Sequence, residues 1–136
     1  MQNFIQNIAQ RTDLAKIPGI TPAELTAYAN SLPENNIAPI PPEYQRFLLY
    51  CNGLSYQGSY LGGIYPQSDT LTDLLRLNKE IHHPLSHNLI ILGFNEMDYL
   101  AYNHKWQVYQ LIDKQDLEVL EEYAEIEPAL NHLLKI

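Results

Sequence analysis

Cys51 is the one thiol in this chain, and five histidines could serve it as bases. A catalytic cysteine needs a neighbouring base and an electropositive, partly exposed setting that lowers its pKa. Cys51 lies instead on the apolar stripe of a predicted helix, near its C-terminal end. The partial negative charge there disfavours a thiolate. A buried, unreactive thiol is the expectation. His82, His83 and His87 invite comparison with a metal site. His83 and His87 are four apart, but Pro84 stands between them and breaks the shared helix face. No HExxH and no CxxC occurs in the chain, so no metal and no cofactor is expected.

Gly58 to Gly63 reads Gly-x-x-x-Gly-Gly, with no Gly-Lys-Ser/Thr after it. Turn geometry explains it better than a phosphate cradle. Glu121 and Glu122 are adjacent, so on a strand they point to opposite faces and form no acid/base pair across a substrate. No catalytic residue is assigned and the chain is not expected to be an enzyme.

The tyrosines remain. Ten of them stand against one Trp and three Phe. Tyr44, Tyr50 and Tyr102 suit core or half-buried positions, whereas Tyr56, Tyr60 and Tyr65 fall in a Gly-rich stretch that could expose ring faces. Tyrosine serves interfaces well, giving contact area with a polar tip and few lost rotamers. The net charge is −8. From residue 113 to 136, seven acids face Lys114 and Lys135, which places −5 of that charge in the last stretch. Such a field repels a phosphate backbone, so direct nucleic-acid binding is not expected. It is either a solvated face or a docking surface for a basic partner. The candidate partner-binding residues are therefore Tyr56, Tyr60, Tyr65, Glu118, Glu121 and Glu122.

The elements that must hold these residues divide at a central helix. In Pro41-Pro42-Glu43-Tyr44-Gln45-Arg46-Phe47-Leu48-Leu49-Tyr50-Cys51-Asn52-Gly53, proline suits the first helical position. Tyr44, Phe47, Leu48 and Cys51 make one stripe, and Asn52-Gly53 offers a C-terminal stop. Before it, Phe4, Ile5, Ile8 and Ala9 space as a helix within residues 1–15. Ile17-Pro18-Gly19-Ile20 reads as a break. Thr21-Pro22-Ala23-Glu24 is a capping box opening a second helix that runs to Pro33. Residues 33–41, with three prolines before Pro42, read as an extended connector.

After it, a short strand is predicted near 60–65, and a helix capped by Thr70 that Pro84 ends. Strands follow over 88–94, 97–102 and 106–112, the last two joined by a hairpin, then a turn at 113–116. Residues 117–123 suit either strand or helix, and strand is chosen. A last helix covers roughly 125–134. Residues 1–136 read as one α+β domain, N-terminal helices packed on a curved, mostly antiparallel sheet, with a C-terminal helix. The length allows a real core. No apolar run is long enough for a bilayer span and Met1-Gln2-Asn3-Phe4-Ile5 has no leader pattern, so a cytoplasmic protein without membrane contact is expected. The oligomeric state is not readable.

Pro42-x-Tyr44-x-x-Phe47-Leu48-x-x-x-Asn52-Gly53 resembles the signature helix of the SUKH superfamily, a group of bacterial immunity proteins and a fungal regulator of cell-wall synthesis. Ile91-Leu92-Gly93, Asp98-Tyr99-Leu100-Ala101-Tyr102, Trp106-Gln107-Val108-Tyr109 and Ala129-Leu130-x-x-Leu133-Leu134 follow in the family's order, covering most of residues 20–136. The chain departs from the pattern at Glu96-Met97-Asp98, where many members carry Gly-Asp or a second Gly. It also has Tyr56 and Tyr60 where an aromatic, often Trp, follows the Asn-Gly turn. The resemblance implies a mixed fold and a binding function, that of an immunity protein that neutralises a cognate toxin, often a nuclease, by binding it. With the acidic and aromatic residues above, the expected mechanism is occlusion of the basic active-site cleft of a toxin domain. A regulatory or scaffold module without a toxin partner is the alternative.

Overall fold

A computed structural model of the chain describes residues 1–64, 73–80 and 88–136. Tyr65, the expected Thr70 cap, His82, His83, Pro84 and His87 lie outside the described residues. The fold is α+β: N-terminal helices and a C-terminal helix on a seven-stranded antiparallel sheet.

Helix α1 (Gln2–Ala9) buries Phe4 and Ile8. Helix α2 (Pro22–Ser31) opens on the capping box: Thr21 Oγ1 accepts from Glu24 N–H at 3.1 Å and Glu24 Oε1 accepts from Thr21 N–H at 3.1 Å. These bonds hold the Glu24 carboxyl below its ordinary value, chiefly through the Thr21 N–H. A 3-10 turn (Pro33–Asn35) follows. The expected extended connector over 33–41 thus begins as a 3-10 turn with Asn36 left-handed, and the rest of it has no regular structure but is not loose, since Ile37, Ala38 and Ile40 are buried. Helix α3 (Pro42–Tyr50) buries Tyr44, Phe47 and Leu48.

The helix ends earlier than its sequence predicts. Cys51 is already extended, at φ −146° and ψ 119°. Cys51, Asn52 and Gly53 begin β2 (Cys51–Tyr56). Only Gly53 of the three has positive φ, at 104°. The reason is pairing from afar. Ile17 and Pro18, the first half of the stretch read as a break, belong instead to β1 (Ala15–Pro18), which pairs antiparallel with β2. A proline is tolerated there because an edge strand has one side without ladder bonds.

β2 continues to β3 (Ser59–Leu61), then a short helix, α4 (Leu74–Glu80), crosses before β4 (Leu89–Phe94). β5 (Asp98–Asn103), β6 (Val108–Asp113) and β7 (Val119–Tyr123) complete a meander in strict chain order. Residues 119–123, which suited strand or helix, are strand. The turns share one device. Asn95 Oδ1 accepts from Met97 and Asp98 N–H, Asn103 Oδ1 from Lys105 and Trp106 N–H, and Asp113 Oδ1 from Gln115 and Asp116 N–H. Short Asn and Asp side chains mimic a backbone turn in this way.

Side chains alternate across the sheet, and each face has its own core. On the first face, Leu54, Leu61, Ile90, Leu92, Leu100, Tyr109 and Leu111 meet buried residues from α1, α2, α3 and α5 (Ile126–Leu134). On the second, Leu77 of α4 packs on Ile91, Ala101 and Ile112. β4 carries a bulge. Its register against β5 shifts between Ile91 and Gly93, so Leu92 is an extra residue. Ile91 and Phe94, three apart, thereby reach the same face.

Candidate functional site

Cys51 is 1% exposed, and its thiol donates to Gly53 O at 2.9 Å. Burial pushes its pKa up to about 11. It belongs to a strand rather than to the helix stripe, and it is packing, with the thiol kept protonated. Among the described residues, no group of His, Cys, Asp and Glu is placed to hold a metal ion. No helix among them is long and apolar enough to cross a membrane.

The candidate interface residues fall on two faces. Tyr56 packs against the first-face core, and its ring lies 4.8 Å from the Arg11 guanidinium carbon. Arg11 also donates to its hydroxyl at 3.0 Å and clamps Asp13, which lowers the Asp13 pKa. Tyr60 pairs with Ser55 on the second face and stacks on Phe94 at 5.0 Å. Strand register then carries a row across that face: Tyr60 beside Phe94, Phe94 beside Tyr99, Tyr99 beside Ile112, Ile112 beside Val119. The Lys114 amine sits over this row, 4.6 Å from the Phe94 centroid and 5.4 Å from that of Tyr99. Burial lowers its pKa, partly offset by Asp98 and Glu96.

Glu118, Glu121 and Glu122 are brought together at β7, the last strand of the sheet, with no further strand beside it among the described residues. Glu121 pairs with Leu111 on the first face and Glu122 with Gln110 on the second. Adjacent acids thus point to opposite faces, as period two requires. Glu122 is oriented: its Oε2 accepts from Gln110 Nε2 at 2.7 Å, and Gln110 Oε1 accepts from Asn103 Nδ2 at 3.5 Å. Asp113 and Asp116 are occupied as turn acceptors, Asp116 Oδ1 taking the Glu118 N–H at 2.9 Å. Among the described residues, none of the three glutamates forms an ion pair.

Between these acids the edge is apolar. The β6–β7 register shifts between Leu111 and Ile112, which makes Leu120 a bulge residue. Val119 is 48% exposed and Leu120 50%. Sequence reasoning placed acids here but not the open apolar pair. A bulge, which decides which side chains reach the core, leaves no mark in the hydrophobic pattern. Phe94 was missed for the same reason, since the Leu92 bulge sets it beside Tyr99, and Lys114 reaches both rings from the turn after β6. Trp106, placed in a strand by its sequence context, sits in the β5–β6 turn and is 64% exposed. What β7 offers is a terminal strand with a small exposed apolar centre and acids on both sides.

No protein-family model matches the chain, and a search of curated proteins finds no match.

Proposed function

We propose that this chain is a non-catalytic binding protein of the SUKH type, an immunity protein that neutralises a cognate toxin by occluding a basic active-site cleft. The observation that carries the reading is the β7 edge. Its Glu118, Glu121 and Glu122 flank exposed Val119 and Leu120 with no ion pair among the described residues. Apolar centre and charged rim are the usual anatomy of a protein interface. Unpaired acids add electrostatic steering toward a basic partner and reject acidic ones. A nuclease cleft, built to hold phosphates, has the complementary sign.

The order of elements is in keeping with the resemblance noted in the sequence: a Pro-started helix carrying Tyr44, Phe47 and Leu48, then an antiparallel meander, then a Leu-rich helix. The buried state of Cys51 supports a structural part for the cysteine. Co-expression with the toxin-like product of a neighbouring gene tests the proposal. Protection of the cells and co-purification of a complex are expected. Failure to protect against any adjacent toxin domain, with pull-down of housekeeping proteins instead, would overturn immunity in favour of a regulatory or scaffold module.

A further inference from the structure

The two edges of the sheet are built differently. β1 is four residues long, ends in Pro18, and carries Lys16, whose amine bonds Ile8 O at 3.1 Å. Shortness, Pro and Lys are the usual devices that blunt an edge. β7 has neither proline nor lysine, and all but its last residue are exposed. Its acids do guard against one partner. In an antiparallel pairing of two copies centred on Glu121, that residue would face itself and Leu120 would face Glu122, and like charges directly opposite are destabilising.

The backbone shows which groups are free. Asp113 N–H donates to Glu118 O at 2.9 Å, so Asp113 directs its peptide groups toward β7. By strand alternation Leu111 and Tyr109 do the same, and their partners are Glu121 and Tyr123. The N–H and C=O of Glu122, between those two, therefore point away from β6.

We propose that β7 receives an added strand, an extended basic segment of the partner protein, which pairs with the outward peptide groups of Glu122. The register fixes the pattern of that segment. Opposite Tyr123 it needs an apolar residue, opposite Glu122 and Glu121 two consecutive basic residues, opposite Leu120 and Val119 two apolar residues, and opposite Glu118 a third basic one. Consecutive cations meet both glutamates, one on each face of the extended sheet. The apolar residues cover the exposed Val119 and Leu120. Main-chain bonds supply the affinity and the side chains the choice of partner. This rests on the binding function proposed above and specifies how that binding is made.

The probe is a synthetic peptide of that pattern built from valine and lysine, titrated into the full chain, with hydrogen exchange read at individual amides. Binding with new protection of the Glu122 amide is expected. A peptide N-methylated at alternate residues should bind about tenfold or more weakly. Proline has no amide to protect, so Glu122→Pro, which loses the outward N–H together with the carboxylate that accepts from Gln110, is read by affinity: it should bind the peptide about tenfold or more weakly, without the parent's protection. Glu122→Gln should keep that protection while reducing the salt dependence of binding. If Glu122→Pro fails to fold, the N-methylated peptide still decides the matter. Equal binding of the methylated peptide, or protection confined to other strands, overturns the added strand. Because no toxin is present, absence of Glu122 protection in a chain that still co-purifies with a toxin refutes this mode alone and leaves the immunity reading standing.

Discussion

The carboxamide of Asn52 bonds both peptide groups of Ile64, its Nδ2 donating to Ile64 O at 2.8 Å and its Oδ1 accepting from Ile64 N–H at 2.6 Å. A side chain thus does what the next residue of a paired strand would do. Gly63 lies so close that a Cβ there would fall 2.3 Å from Asn52 O. Asn78 repeats the device on the other side of the β3–β4 crossover, bonding Ile91 O at 2.9 Å and Ile91 N–H at 2.7 Å. β3 is three residues long, and these two amides finish the pairing that it leaves undone.

Replacing Asn52 by Ala removes two hydrogen bonds and strands a buried donor and acceptor on Ile64, which is 4% exposed. The expected loss is about 2–4 kcal/mol by urea unfolding. Asn52→Asp should be no milder, because it sets a carboxylate against the Ile64 carbonyl. A loss under about 1 kcal/mol would mean that water replaces the amide and that the clip is not structural.

Cys51 makes the alkaline limb of stability testable. In the unfolded chain the thiol ionises near its ordinary value of 9.0, whereas burial holds it up to about 11 in the fold. Between those values the unfolded state has lost the proton that the folded state keeps, so rising pH favours unfolding. The contribution is intact below pH 9.0 and is lost as pH passes 11, at a cost of about 2–3 kcal/mol. Tyr44 and Tyr109 are raised by burial as well, and add to the same limb at higher pH. Cys51→Ala should be less stable than the parent at pH 7, with the gap narrowing toward pH 11. A gap that stays constant would place the thiol in contact with solvent. Cys51→Ser should destabilise mildly and leave toxin protection intact.

Where a structural signal is local, the sequence carries it. Pro42 starts α3, the Thr21–Glu24 box starts α2, and the stripe Ala129, Leu130, Leu133 and Leu134 marks α5. Where pairing is distant, the sequence is ambiguous. Ile17-Pro18-Gly19-Ile20 looks like a break because Pro18 and Gly19 are punctuation in isolation, yet Pro18 pairs with Cys51 as the end of β1. Cys51 looks like the end of a helix stripe and Asn52-Gly53 like its stop, yet Cys51 pairs with Pro18 of β1 and Asn52 bonds Ile64. The candidate site divides likewise. The acids were visible as charge density, but the bulge at Leu120, the exposed pair beside it and the row from Tyr60 to Val119 are properties of register.

Lys114 should be worth its place through its stem and its charge together. Lys114→Ala loses the amine over Phe94 and Tyr99 and uncovers both rings, for about 1–2 kcal/mol. Lys114→Met keeps most of the stem and should lose less than half of that. High salt should change the parent little, since the amine is partly desolvated against the rings. Equal losses in the two variants would assign the whole effect to charge.

The β7 glutamates should be neutral or adverse for stability and decisive for binding. Glu118, Glu121 and Glu122 share one short edge without an ion pair among the described residues, so apart from the Gln110 bond to Glu122 their charge is met by solvent and salt. The triple Glu→Gln variant should therefore melt at the same temperature as the parent, or slightly higher at low salt. Its association with a cognate toxin should slow by about tenfold or more, and the salt dependence of that rate should flatten, because steering acts on encounter. Val119→Ser with Leu120→Ser should instead raise the dissociation rate with little effect on association, since these side chains contribute only once they are covered. The two signatures separate steering from contact. If neither variant changes association or dissociation, while Trp106→Ala in the β5–β6 turn does, the contact surface is that hairpin and not the acidic edge.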